Sequence, residues 1–242
     1  MIVISGLTRK IPEGKTILRH VNARLEPGTF IAVVGSSGSG KSALLKALAL
    51  KEIWTSGEYR VDGKNLMDAG FFAKMRYRRQ VAFLEQKPIL YENKSALKNV
   101  LIGAAEQTPL WRRLTGIVRS DDYMGGMDML EQVGLLELAK QKVEKMSGGE
   151  RQRIAIARSL VHGAKLVLAD EPVSGLDPHT SEEMMRTLKT LCHEKGATIV
   201  VALHRLELAE KFADEIWGMQ NGELVLNVRG RRLTAAERLR IH

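Results

Sequence analysis

The chain has one cysteine, Cys192, among 242 residues, so no internal disulfide can form and a reducing cytosol fits. That thiol is read as a small core residue on a helix. Aromatic residues make up only 5% and no basic run is interleaved with them, which argues against a base-stacking nucleic-acid surface. No unbroken apolar run is long enough for a membrane span. The opening "MIVISGLTRK" lacks the basic start and long apolar middle of a signal peptide. Repeats, low-complexity tracts and long linkers are also missing.

What is present is ordinary for a soluble globular protein: 44% hydrophobic and 27% charged residues. The length suits one large domain, or a core with a subdomain. The net charge of +9 is compatible with nucleic acid, an anionic membrane surface or a phosphorylated ligand. Its densest basic stretch is the tail, "RGRRLTAAERLRIH" at 229–242, read as a solvated terminal helix with a headgroup contact left open.

Short, nearly continuous apolar runs mark parallel strands: "TFIAVVG" (29–35), "VAFLEQ" (81–86), "KLVLADEP" (165–172) and "TIVVALH" (198–204). Their polar residues fall at the C-terminal ends, where open α/β sheets place ligands. The periodic "KSALLKALALKEIW" (41–54) predicts a helix directly after the first run. "MIVISGL", "ILRHVNARL" and "EYRVDGKN" predict a small antiparallel sheet. Between Gln86 and Gly163 the pattern turns helical, in "SALKNVLIGAA", "DMLEQVGLLELAK" and "GERQRIAIARSLVHG". The expected architecture is an α/β P-loop NTPase core of mostly parallel sheet, about 1–86 and 163–225. To it are added a small antiparallel β subdomain, an inserted α-helical subdomain at about 87–162 and a basic tail at about 226–242.

"GSSGSGKS" at 35–42 matches G-x-x-x-x-G-K-[ST]. Gly35, Gly38 and Gly40 let the backbone curl, so that the N–H groups from Gly35 through Ser36, Ser37, Ser39 and on to Ala43 can face phosphate oxygens. The following helix adds its N-terminal dipole. Lys41 is the cation for the β- and γ-phosphates and Ser42 a ligand for Mg²⁺. "LVLADEP" ends a buried strand in two carboxylates. Asp170 suits the metal's shell, and strand alternation is expected to turn Glu171 toward an attacking water.

A second candidate cradle is "KMSGGERQR" at 145–153. Ser147 and Glu150 form a capping box, serine at the N-cap and glutamate at N3. The box does not explain Gly148 and Gly149, which weaken a first turn by about 1 kcal/mol each. Glycines there make sense where something must approach the backbone closely.

"SGGERQRIAIARSL" resembles the signature sequence of the ATP-binding cassette ATPases, with "GSSGSGKS" as Walker A and "LVLADEP" as Walker B. Gln86 falls at that family's Q-loop glutamine, "SGLD" (174–177) at its D-loop and His204 at its switch histidine, in order and in register over residues 2 to about 225. The resemblance implies an ATPase using ATP and Mg²⁺ and working as a head-to-tail homodimer. Ser147 and Gly149 of one copy then grip the γ-phosphate held by Walker A of the other. It further implies that Gln86 touches Mg²⁺ and the attacking water, His204 senses the γ-phosphate and Asp177 meets the second copy. Where the family carries an aromatic residue against adenine, this chain has Ile11, which leaves base selectivity open.

A cassette without membrane spans implies separate integral-membrane permease subunits, a position on the cytoplasmic face of the membrane and no nucleic-acid partner. "NVLIGAAEQTPLWRRLTGIV" (99–118) resembles the phosphonate-import group, which adds a periplasmic or surface solute-binding protein. Lipoprotein-release or macrolide-type export, and a soluble subunit of a carbon–phosphorus lyase complex, are the alternative readings.

Overall fold

A computed structural model describes residues 1–11, 14–106 and 120–241. Of the segment 99–118, everything after Glu106 lies outside the described residues. The chain divides into two compact units, one of Met1–Phe83, Lys165–Glu171 and Leu188–His242, the other of Leu84–Ala164 and Pro172–Thr187.

The first unit carries two sheets. The small antiparallel one has the order β2-β1-β4-β5, from Ile2–Lys10 (β1), Thr16–Leu25 (β2), Ser56–Val61 (β4) and Lys64–Asn65 (β5). The larger one has the order β10-β9-β3-β8-β7-β6, from Phe30–Val34 (β3), Val81–Leu84 (β6), Leu166–Asp170 (β7), Thr198–Leu203 (β8), Glu215–Gln220 (β9) and Glu223–Arg229 (β10). All five residues of β3 and all six of β8 are buried, the pattern of strands covered on both faces. Helix α1 (Lys41–Leu48) buries Leu44, Leu45 and Leu48 in a core shared with Ile4 and Leu7 of the small sheet and Ile31, Val33, Leu168 and Val200 of the large one. Each such leucine contributes about 1.5–3 kcal/mol.

Register decides where ligands can go. β3 and β7 each run parallel to β8, with Val34 opposite Leu203 and Asp170 opposite Ala202. The residues that follow these strands, Gly35, Glu171 and His204, therefore emerge together at one edge of the sheet.

The second unit is helical: α3 (Ala96–Glu106), α4 (Ser120–Gln132), α5 (Gly148–Leu160) and the first part of α6 (Pro178–Lys195). The other α-helices among the described residues are α2 (Phe71–Arg78), α7 (Leu206–Phe212) and α8 (Ala235–Leu239).

Two expected helices stop early. The run 41–54 is helical only to Leu48, because Leu50 turns left-handed at φ 53° and the Lys51 N–H reaches back to Lys46 O at 2.9 Å. In "DMLEQVGLLELAK" the helix ends at Gln132, where Gly134 takes φ 70° and the Leu135 N–H closes onto Leu130 O at 2.7 Å. The tail is anchored more firmly than a solvated helix. Ile241 is buried against Gly218, and Arg238 and the Leu233 N–H share the Glu210 carboxylate.

Candidate functional site

Between β3 and α1 the loop curls tightly. Gly38 and Gly40 adopt φ 79° and 107°, which side chains beyond glycine resist. A Cβ on Gly35 would lie 2.7 Å from Ser39 Oγ, and the β9–β10 turn backs the loop through Gly222 N–H to Ser39 O at 2.9 Å. Lys41 is buried and donates to the carbonyls of Gly35 and Ser36 at 2.8 and 2.9 Å, so its ammonium points back into the loop. Burial holds that ammonium below its usual pKa, while Glu171 and Asp170 pull it back up.

Gly40, as N-cap, offers no side chain to α1, so the first-turn N–H groups through Ala43 face outward uncapped. The buried Ser39 hydroxyl has no partner either. One ammonium, a row of N–H groups and an unpartnered hydroxyl fit a chain of phosphates, as a helix N-terminus does.

Ser42 donates to Asp170 Oδ1 at 2.8 Å. Burial raises the Asp170 carboxyl above its usual value, against the pull of that Ser42 bond. The two hard oxygens suit a divalent cation of the Mg²⁺ kind. Among the described residues no group of three or more His, Cys, Asp or Glu side chains could hold a metal alone. Mg²⁺ commonly takes one or two protein oxygens and fills its shell with waters and phosphate oxygens.

β7 ends at Asp170, and Glu171 takes a left-handed φ of 50° with its N–H on Ala202 O at 3.2 Å. Its separation from Asp170 thus comes from a backbone turn rather than from strand alternation. The Glu171 carboxylate bonds His204 Nε2, and the imidazole remains 45% exposed. A carboxylate beside an imidazole at an open edge can orient a water and accept its proton.

The other sequence-derived residues, Ile11 apart, lie in the second unit. The Gln86 amide donates to Ser174 Oγ at 3.1 Å, while the buried Gln152 of α5 donates to Gln86 O at 3.1 Å. Arg158 donates to Ile89 O at 3.0 Å, so α5 fixes the backbone of the loop that follows β6. The capping box is present: the Glu150 N–H donates to Ser147 Oγ at 3.3 Å and Glu150 accepts the Ser147 N–H at 2.8 Å. Ser147 keeps its hydroxyl proton for another acceptor, whereas Glu150 is engaged by the cap.

Gly149 has a cause within the chain, since a Cβ there would lie 2.6 Å from Thr180 Cγ2; Gly148 meets nothing closer than Leu176 at 4.0 Å. Asp177 caps α6, accepting the Thr180 N–H at 3.0 Å, and Thr180 holds its carboxyl below the usual value. Ile11 is half-buried, with its N–H on Lys15 O at 3.0 Å.

Lys41, Ser42, Asp170, Glu171 and His204 therefore gather in the first unit, while Gln86, Ser147 to Glu150 and Asp177 fall in the second. Ser174 and Gln152 lie within the quoted SGLD and signature stretches but gained their contacts only through the fold, and Thr180 lies outside any quoted motif.

An ABC transporter family model matches residues 18–174, more than half of the chain. The phosphonates import ATP-binding protein PhnC of Staphylococcus aureus is 36% identical over 224 residues, covering 93% of this chain and 87% of its own. Among solved structures, the dimeric ATP-binding cassette MJ0796 bound to ADP and Pi has a TM-score of 0.81 at 29% identity, with 96% of this chain and 100% of that one covered. The cbiO1 protein of Clostridium perfringens, part of the ABC transporter complex cbiONQ, has a TM-score of 0.84 at 26% identity, with 94% and 88% covered. The phosphate loop at the edge of a parallel sheet, the paired carboxylates behind it and these likenesses agree, and the chain belongs to the ABC transporter family as an ATP-binding, ATP-hydrolysing subunit.

Proposed function

We propose that the chain powers the import of phosphonate, or a related phosphorus oxyanion, through a separate integral-membrane permease. In this reading a periplasmic or surface binding protein delivers the solute. The observation that carries it is the 36% identity to phosphonates import proteins over 93% of the chain. The ATPase sits peripherally on the cytoplasmic face as a head-to-tail homodimer, and nucleic acid plays no part. The segments about 1–86 and 163–225 act as the catalytic core, and about 87–162 as the helical subdomain facing the permease.

Within each copy, the N–H groups from Gly35 to Ala43 cradle the phosphates of ATP, and Lys41 balances charge on the β- and γ-phosphates. Ser42 and Asp170 would hold Mg²⁺, as would Gln86 by the family resemblance, and the ion would neutralise phosphate charge. Glu171 accepts a proton from the attacking water at its carboxylate, and His204, bonded to Glu171, fixes that carboxylate and faces the γ-phosphate. Ile11 supports the base. From the second copy come the Ser147 hydroxyl and the Gly148 and Gly149 backbone, held in place by the Glu150 cap, with Asp177 at the contact.

Glu171→Gln should bind ATP, lose about 10²–10⁴-fold in turnover and accumulate as a dimer in size-exclusion chromatography with MgATP. Turnover near that of the unaltered chain with no dimer would remove Glu171 from this role. The solute is tested by deleting the chain from its host and supplying methylphosphonate as the sole phosphorus source. Growth and uptake of labelled methylphosphonate should both fail while growth on phosphate continues. Retained uptake with failed growth would instead favour a subunit of a phosphonate-cleaving complex.

A further inference from the structure

Helix α2 buries a single residue, Tyr77, along its eight-residue length. At about 100° per residue, positions 71, 72, 75 and 79 lie on the face opposite Tyr77, with 76 at its margin. That face opens with two phenylalanines left in water: Phe71 is 71% exposed and Phe72 78%. Their rings meet edge to face with centroids 5.8 Å apart, and Met75 extends the apolar strip by one turn. Isolated exposed apolar residues need no explanation, but two neighbouring phenylalanines on one short helix form a patch that does.

The charge around the patch is of one sign. No acidic residue occurs from Phe71 through Gln80, and the nearest one before them, Asp68, accepts from the Asn65 amide at 2.7 Å. Two of the four cations are tied to backbone carbonyls, Lys74 to Met67 at 3.1 Å and Arg78 to Leu50 at 2.7 Å. Arg79, on the outward face, and Arg76, at its margin, have no carboxylate partner among the described residues. None of these side chains belongs to the phosphate loop or to the carboxylates behind it.

We propose that this face of α2 rests on an anionic bilayer surface, with Phe71 and Phe72 at the boundary between headgroups and acyl chains and Arg76 and Arg79 on lipid phosphates. The inference builds on the reading of the chain as a membrane-peripheral subunit and adds a direct lipid contact to it. A bilayer fits because the patch joins an apolar tip to cations alone, with no acidic residue from Phe71 through Gln80. The two rings, with centroids 5.8 Å apart, form one apolar tip, which a soft interface accepts without a matching cavity. Arginines flanking an apolar tip also complement anionic headgroups, each worth a severalfold gain in partitioning.

The test uses the purified full chain without a permease, sedimented with phosphatidylcholine vesicles or with vesicles that also contain phosphatidylglycerol. The chain should partition onto the anionic vesicles and be released by salt. F71S/F72S and R76Q/R79Q should each lower that partitioning by about tenfold, while F71Y/F72Y keeps most of it. R232Q/R240Q, which removes charge from the exposed part of the tail, should leave it unchanged. ATP hydrolysis by the same preparations reports on the ATPase reading separately, because α2 lies outside the site. Equal binding to both vesicle types, or none, overturns the proposal. So does loss of binding in the tail variant but not in the α2 variants, or binding only when the membranes carry a permease.

Discussion

The Ser42 hydroxyl donates to Asp170 Oδ1 at 2.8 Å, tying the first turn of α1 to the last residue of β7. The bond favours the carboxylate, yet burial prevails and Asp170 titrates above its ordinary 3.8. An acid raised by folding costs nothing while it is protonated in both states. The cost grows as pH rises from 3.8 to the folded pKa and is constant above it.

Asp170→Asn keeps an oxygen for Ser42 and removes the buried charge. At pH 7 without nucleotide it should melt about 1–3 °C higher than the unaltered chain, with the gain vanishing as the pH falls toward 3.8. MgATP should then stabilise the unaltered chain more than the variant, since ligand binding to the folded state raises the melting point. Differential scanning fluorimetry across pH reads both. A lower melting point at pH 7 would mean that the attraction between Asp170 and Lys41 outweighs burial.

Gly149 has two possible reasons to be glycine, and a pair of variants separates them. Gly149→Ala should destabilise by about 1–3 kcal/mol, because its Cβ would meet Thr180 Cγ2 at 2.6 Å. Adding Thr180→Ser removes that methyl and should restore most of the stability. If hydrolysis stays low in the restored double variant, the backbone of Gly149 also serves a ligand. Full recovery of both would confine its role to packing.

Much of the fold could be read from the chain because its buried strands are nearly pure apolar runs. β3, β7 and β8 sit where those runs predict. The phosphate loop was legible because its residues are contiguous, and the capping box because Ser147 and Glu150 are three apart. Helix ends were harder to place. Leu50 ends α1 in a left-handed conformation that leucine rarely adopts, so composition gives no warning. The patterns did not pick out β9 and β10, although Asn221 and Gly222, at φ 49° and 82°, form the turn that an Asn-Gly pair favours between strands. The direction of Glu171 and the contacts Gln86–Ser174 and Gly149–Thr180 depend on backbone turns and tertiary packing that no local pattern encodes.

The family resemblance sets Ile11 at the position of an aromatic residue against adenine, and on that proposal little distinguishes one purine from another there. The unaltered chain should hydrolyse ATP and GTP with kcat/KM values within about threefold of each other. Ile11→Tyr should lower the KM for ATP by about 2–10-fold, the range that a ring contact spans. A strong preference for ATP in the unaltered chain would assign the base contact to another side chain.

The phosphate loop and the candidate cradle at Ser147 make the sharpest prediction, because they can be damaged separately. If each ATP needs Lys41 from one copy and Ser147 from the other, then Lys41→Ala spoils both sites of its homodimer, and Ser147→Arg does the same. Mixed in equal amounts, the two variants form mixed pairs in about half of the dimers when association is random. In a mixed pair one site collects both lesions, and the other keeps an intact Lys41 facing an intact Ser147. About a quarter of the sites in the unaltered protein should therefore return under two-fold pairing. Turnover recovers less if the sites fire only together, so nucleotide trapped per dimer is the better readout. If both cradles acted within one chain, mixing would restore nothing, since every chain carries a lesion. Mixed dimers that form but trap no nucleotide would sink the shared-site arrangement.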